Sequence, residues 1–283
     1  MALDYSGSHN LMRFPGFKLK ALSLSYDDGL KTDKRLIDIM LKYGLKGTFN
    51  LNLGGISENT SDKLLTEKEA YELYTSSGME VAVNGRHHVL VDNVDKSVAV
   101  NYLISDRGAL EKLFGKVVKG LAYPFGVLDE NSANLFKRCG FKYARTTNNT
   151  DNFNLPSNWL TLNPTTKNSS SNVLDLAKEF VELKECGYFW FNEPRFFCAW
   201  GHSCDFLTEK DWDKFVEFAK IVSSAKDIWF ASVGEVCDYV TAFERLEFSA
   251  EGAYIKNPTA IDVCVKYFNG ENIVIPSGKT IKI

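Results

Sequence analysis

The chain has 283 residues, of which 45% are hydrophobic, 13% aromatic and 24% charged. This balance excludes disordered, collagen-like and coiled-coil chains and leaves room for one large barrel or two modest domains. Thirty-three basic against thirty-six acidic residues give a net charge of −3, and no Lys/Arg run is long enough to track a phosphate backbone, which excludes nucleic acid as the partner.

From residue 20 onward, short apolar runs alternate with amphipathic stretches, the pattern of βα units around a mostly parallel sheet. A strand is predicted over 21–26, a helix over 32–42 with Leu36, Ile37, Met40 and Leu41 on one face, and a strand over 47–51. The helix predicted over 66–76 opens on Thr66-Glu67-Lys68-Glu69, a capping box, and a strand over 79–83 follows Gly78. Next come a helix over 94–114, a strand over 118–123, a helix over 130–139 and a strand over 142–147. Residues 148–170 are rich in Asn, Thr, Ser and Pro and read as a long loop over one face. A helix over 173–184, extended segments between 187 and 200, a helix over 209–223, a strand over 228–231 and a helix over 233–243 complete the barrel pattern.

After residue 244 the texture changes to short alternating runs at 245–248, 261–268, 273–275 and 280–283 with Gly and Asn turns between them. The organisation expected is an N-terminal extension (1–19), a (β/α) barrel (20–243) and a small C-terminal β appendage (244–283). Cys139, Cys186, Cys198, Cys204, Cys237 and Cys264 form no C-x-x-C pair and read as mostly buried free thiols. Residues 1–8 lack a basic segment leading into an apolar one, and no stretch reaches the ~18 apolar residues of a membrane span, so a soluble cytoplasmic chain with no membrane partner is expected. Nothing in the sequence indicates an oligomeric state.

Four strand ends carry residues suited to chemistry, and in parallel barrels that end of the strands bears the active site. Ser25-Tyr26-Asp27-Asp28-Gly29 closes the first strand. Adjacent carboxylates repel unless a cation or donors neutralise them, which suggests one metal ligand and one base; an ordinary Asp-Asp-Gly turn capping a helix is the plainer alternative. Asn84-Gly85-Arg86-His87-His88 follows the third strand, and Asn84 and His88 stand i, i+4, so one helical turn would put them on the same side. A solvated histidine pair would look the same. Ala122-Tyr123-Pro124-Phe125-Gly126 ends the fourth strand in a turn whose backbone N–H groups could face a ligand, or merely stops the strand with aromatic packing. Cys198-Ala199-Trp200-Gly201-His202-Ser203 ends an apolar strand on a histidine, a candidate general acid or a hydrogen-bonded structural group.

In this order the four segments resemble the polysaccharide deacetylases, the NodB-homology fold of carbohydrate esterase family 4. The family's Thr-Phe-Asp-Asp-Gly is similar to residues 25–29, its His-x-x-x-His to Asn84 through His88, its Arg-x-Pro-Tyr/Phe-Gly to Ala122 through Gly126, and its Leu-x-His to Trp200-Gly201-His202. The likeness covers about residues 20–242. It implies an α/β fold, a distorted TIM-like (β/α) barrel, and a metal-dependent hydrolase that removes N-acetyl, or O-acetyl, groups from a saccharide.

By the same resemblance, Asp28, Asn84 and His88 hold a divalent metal, with zinc first and cobalt, nickel or manganese as the other candidates. Asp27 is the base, His202 the acid, and the backbone N–H of Phe125 faces the oxyanion. Two positions depart from the pattern. Asn84 replaces the first ligand histidine, with His87 a weaker substitute, and Ala122 replaces the arginine that orients the aspartate, a charge that Arg145, Arg86 or Arg195 could supply, Arg145 being preferred. Tyr26, Tyr123, Phe125 and Trp200 suit stacking on a sugar face, and Trp159 or Trp200 would serve as an apolar wall for the acetyl methyl. The competing expectations are a saccharide-binding barrel without hydrolysis, and a metal-free glycosidase pairing Asp27 with Glu193 or Asp205.

Overall fold

The structure, a computed structural model, describes residues 9–58, 61–85, 95–126, 130–186 and 192–283. In chain order the strands are β1 (Met12–Arg13), β2 (Lys20–Asp28), β3 (Gly47–Leu51), β4 (Glu80–Val83), β5 (Gly120–Ala122), β6 (Tyr143–Arg145), β7 (Thr166–Lys167), β8 (Arg195–Gly201), β9 (Ile228–Phe230), β10 (Glu247–Phe248), β11 (Tyr254–Lys256), β12 (Val263–Lys266), β13 (Asn272–Ile275) and β14 (Thr280–Lys282). The helices are α1 (Asp33–Lys42), α2 (Leu53–Ser57), α3 (Glu67–Ser77), α4 (Lys96–Phe114), α5 (Glu130–Arg138), α6 (Val173–Glu182), α7 (Glu209–Ser223) and α8 (Val233–Glu244).

Strands β2 to β9 form one curled sheet, ordered β6-β5-β4-β3-β2-β8-β7 with β9 also against β2. Every ladder in it is parallel, as βα units require. Between the outer strands runs the segment read from sequence as a loop. It contains β7, and it ties to β6 through the Arg145–Leu162 bridge and to β8 through the Thr165 N–H on the Cys198 carbonyl at 2.8 Å. The sheet is thereby curled into the distorted barrel expected.

Alternation along β2 decides which side chains can reach the barrel interior. Leu22, Leu24 and Tyr26 lie in the apolar layer with Leu36, Ile37 and Met40 of α1 and Phe215 of α7, which puts Ser23, Ser25 and Asp27 on the opposite, inner face. α3 forms where the capping box predicted it: Thr66 Oγ1 accepts from the Glu69 N–H, and the Glu69 carboxylate accepts from the Thr66 N–H.

The first and last segments are not separate. β1 pairs antiparallel with β12, and β12 with β13, while β10, β11 and β14 form a second three-stranded sheet. Ile255, Val263, Val265 and Ile275 join Met12, Phe14, Tyr239 and Val240 in a common core, so the appendage packs on α8 and the N-terminal segment. Cys198, Cys237 and Cys264 are buried, whereas Cys186 and Cys204 are exposed and Cys139 is intermediate. Among the described residues no helix is long and apolar enough to cross a membrane.

Candidate active site

Asp27 lies near the top of β2, 6% exposed, at a register position opposite Asn50 of β3. A single guanidinium nitrogen of Arg145, Nη2, straddles its two oxygens at 2.5 Å from Oδ1 and 2.6 Å from Oδ2, and Asn50 Nδ2 donates to Oδ1 at 2.8 Å. Among the described residues Oδ1 therefore has both lone pairs engaged, while Oδ2 keeps one open. Arg145 is fixed in turn by Nε on Ser25 Oγ at 3.0 Å, Nη1 on the Thr146 carbonyl at 2.9 Å, and the Trp200 ring 5.0 Å from the guanidinium carbon. Breaking a buried pair of this kind costs roughly 3–5 kcal/mol.

The charge that the resembled pattern carries at 122 is here beside Asp27 without an arginine at that position. Ala122 and Arg145 are register partners on β5 and β6, so the cation comes from the adjacent strand. With 1% side-chain exposure, the Arg145 guanidinium is turned onto Asp27 and away from solvent.

Asp28 has φ +83°, a left-handed backbone that costs a non-glycine residue of order 1–3 kcal/mol and interrupts the strand alternation. Asn84, just past β4 and 2% exposed, donates from Nδ2 to Asp28 Oδ1 at 2.9 Å, and its own N–H bonds the Leu51 carbonyl at 3.1 Å. Gly85 follows with φ +77°, and a Cβ there would stand 2.9 Å from Pro124 Cγ, so the Asn84 segment lies directly on the turn formed by Pro124–Gly126. That turn is closed by the Gly126 N–H on the Tyr123 carbonyl at 2.9 Å, and it places the Phe125 backbone at the same end of the sheet. His88 lies outside the described residues, as do Arg86 and His87.

His202 follows β8, whose last rung with β2 pairs Gly201 with Tyr26. Its Nε2 is 4.0 Å from Asp27 Oδ2 and 3.9 Å from Asp28 Oδ2. Behind it Nδ1 stands 3.5 Å from Asp205 Oδ2, an oxygen that also accepts from the His202 backbone N–H at 3.0 Å. The imidazole is held above its ordinary value, first by the Asp205 hydrogen bond; burial opposes this, and the charges of Asp27 and Asp28 add to it. Burial alone would raise Asp205, but hydrogen bonds from His202 and from Lys167 outweigh it and bring the carboxyl to about 2. Lys167 Nζ donates to Asp205 Oδ1 at 3.0 Å.

Two expected sugar contacts are corrected by these packings. Tyr26 is wholly buried, because it points to the helix layer opposite Asp27; its hydroxyl bonds Asn168 and its ring packs 6.0 Å from Phe49. Tyr123 is 3% exposed, donates its hydroxyl to the Leu160 carbonyl at 2.7 Å and packs on Phe136. Trp200 is 9% exposed, bonded to Asn149 Oδ1, with Arg145 and Lys167 both near its ring. Asp205, a candidate second carboxylate for a glycosidase, is committed to His202 and Lys167. Sequence reasoning missed Asn50 and Lys167, although a lone amide in the apolar strand Gly47–Leu51 was a visible signal for the first.

Among the described residues no group of three or more His, Cys, Asp and Glu side chains is placed to hold a metal ion. Asp28 and Asn84 supply a carboxylate and an amide side by side, and with an imidazole from residue 88 the donor set would suit a divalent cation, provided that Asn84 presented its oxygen.

The family model for polysaccharide deacetylase matches residues 16–144. No curated protein matches the chain. Among solved structures, one assigned as a polysaccharide deacetylase from Mycobacterium smegmatis aligns at 15% identity over 83% of this chain and 94% of its own, with a TM-score of 0.61. A family 4 carbohydrate esterase from Streptomyces lividans, in complex with acetate, aligns at 13% identity over 74% and 90%, with a TM-score of 0.50. A mutant of a family 4 pseudoenzyme with restored enzymatic activity aligns at 14% identity over 81% and 70%, with a TM-score of 0.53. At these identities the likeness establishes the fold. For other matches the chain spans 44% to 61% of the matched protein at TM-scores of 0.42 to 0.45.

Proposed function

We propose that the chain is a hydrolase of the polysaccharide deacetylase kind, acting on carbon–nitrogen bonds, and that it removes acetyl groups from a saccharide with Asp27 as base and His202 as acid. The observation that carries this reading is the convergence of Asp27 Oδ2 and His202 Nε2, 4.0 Å apart, each backed by an oppositely charged partner, Arg145 for the first and Asp205 for the second.

Asp28, Asn84 and His88 would hold a divalent metal, whose chemistry when bound is to polarise the acyl carbonyl and make a water more acidic. Asp27 accepts the proton of the attacking water at Oδ2, the oxygen with the open lone pair, while Arg145 and Asn50 keep the carboxylate from rotating. The backbone N–H of Phe125 is assigned to the oxyanion, where such a donor contributes about 3–4 kcal/mol. His202 holds its proton at Nε2 and passes it to the departing amine, with Nδ1 held by Asp205. The proton balance closes: one leaves water to Asp27, one leaves His202 with the amine, and the products are acetate and a free amino sugar, or an alcohol if the acetyl is ester-linked.

A second reading has one specific observation in its favour. Asn84 turns a donor, rather than an acceptor, toward Asp28, as a barrel that binds saccharide without hydrolysing it would tolerate. Incubation with acetylated chito-oligosaccharide and xylan, with zinc, cobalt, nickel or manganese added, separates the readings. Acetate release without new reducing ends supports deacetylation. Saccharide binding with no acetate supports the binding barrel, and new reducing ends support a glycosidase.

A further inference from the structure

The ladder that aligns the base strand with the acid strand ends at the pair Tyr26 and Gly201, one residue short of both Asp27 and His202. Some other connection must set the relative position of the two groups beyond that rung. The structure contains one in Asp33, the first residue of α1, which is completely buried. Its Oδ1 accepts from Ser203 Oγ at 2.5 Å, and Ser203 is the neighbour of His202. Its Oδ2 accepts from the Leu30 N–H at 3.0 Å, two residues after Asp28, and from the Tyr74 hydroxyl at 2.6 Å. With its one proton directed to Asp33, Ser203 Oγ accepts in turn from Thr32 Oγ1 at 2.6 Å.

We infer that Asp33 is a positioning residue for His202, acting through Ser203 and clamping the acid loop to the turn that carries Asp27 and Asp28. A helix start alone does not demand a buried carboxyl. Thr32, at the N-cap of α1, makes no side-chain capping bond, and an exposed acid would satisfy the helix N-terminus at less desolvation cost. Burial pushes the Asp33 carboxyl up to about 7 against its three hydrogen bonds, so the protein retains a group that is unfavourable where it stands and useful for what it joins. Tyr74 belongs to α3 and leads away from the site, which separates the two oxygens by function: Oδ1 serves the acid loop, Oδ2 the base turn and the core.

The inference rests on the deacetylase reading for its activity arm and stands independently in its motional arm. Ser203→Ala removes the bond on the acid side, and Tyr74→Phe removes one from the same carboxyl on the core side. The expected result is an about tenfold fall in kcat for Ser203→Ala with KM within twofold, and kcat within twofold for Tyr74→Phe at an equal or larger fall in Tm. Asp33→Asn, of the same size and able to donate to Ser203, should lose about threefold. Equal losses of kcat in Ser203→Ala and Tyr74→Phe, or no loss in either Ser203→Ala or Asp33→Asn, would overturn the inference. Should the parent protein release no acetate, the deacetylase reading fails, and the clamp is decided by 13C relaxation of the His202 ring in protein labelled at its four histidines, assigned with His202→Gln. Increased ring motion in Ser203→Ala and not in Tyr74→Phe supports the clamp; identical ring motion in parent, Ser203→Ala and Tyr74→Phe contradicts it.

Discussion

Asp27 accepts hydrogen bonds from Arg145 and Asn50 inside the barrel, whereas Asp28, its neighbour in the chain, sits at φ +83° and accepts from the amide of Asn84. Each is linked to one of the two positions, 122 and 84, where this chain differs from the deacetylase pattern it resembles, and the two differences are resolved differently. On the Asp27 side the charge that the pattern carries at 122 comes from the next strand, at the position register-paired with Ala122. On the Asp28 side a histidine is replaced by a residue that hydrogen-bonds the carboxylate. A base needs only an oriented carboxylate and tolerates a change in where the cation comes from; a metal site needs particular donor atoms and does not.

The largest effect should follow from breaking the stronger side. Arg145→Met leaves Asp27 buried without its cation, so about 3–5 kcal/mol of stability should be lost and acetate release should fall at least a hundredfold; denaturant unfolding and initial rates measure both. On the other side, Asn84→His restores an imidazole donor next to Asp28. Its dissociation constant for zinc, measured by calorimetry, should fall tenfold or more while Tm without metal changes little, and unchanged affinity would mean that residue 84 does not face the ion.

A smaller effect is expected at His202, the proposed acid. In that role it would donate only while protonated, and the Asp205 hydrogen bond is the first of the influences that raise it above the ordinary imidazole value of 6.5. Asp205→Asn therefore lowers the imidazole, and the basic limb of the kcat–pH profile should move to lower pH. An unmoved limb would place the titration elsewhere. The smallest change is Tyr123→Phe, which removes the hydroxyl bond to Leu160. It should cost about 1 kcal/mol and leave KM unaltered, whereas a raised KM would return Tyr123 to the substrate.

Local chemistry made much of this legible in the sequence. The Thr66–Glu69 capping box, the alternation of apolar runs with amphipathic helices and the four motif-bearing strand ends are signals carried by neighbouring residues. What escaped depends on contacts distant in sequence or on very short elements. β7 is two residues within an Asn- and Thr-rich stretch, and α2 contains Gly54 and Gly55, poor helix formers held by Asn52 at the N-cap. β1 becomes a strand only because β12 returns to pair with it.

The orientation of Tyr26 is legible in the sequence. Strict alternation through Ser23, Leu24, Ser25, Tyr26 and Asp27 places the tyrosine opposite the aspartate, and its aromatic character suggested a sugar contact that its direction forbids. Arg145 could be favoured from its strand, but its pairing with Asp27 is created by curling the sheet until β6 faces β2. Asp33 had no signal beyond an acid at a helix start. Its meaning emerges only when β8 brings Ser203 beside it.

The central claim is that Asp27 is the base, and its most direct test is Asp27→Asn, isosteric with the parent and still able to accept from Arg145. Acetate release from an acetylated chito-oligosaccharide with saturating zinc should fall by a factor of about 10² to 10⁴, with zinc affinity within a few-fold of the parent. Release at the parental rate would contradict the account.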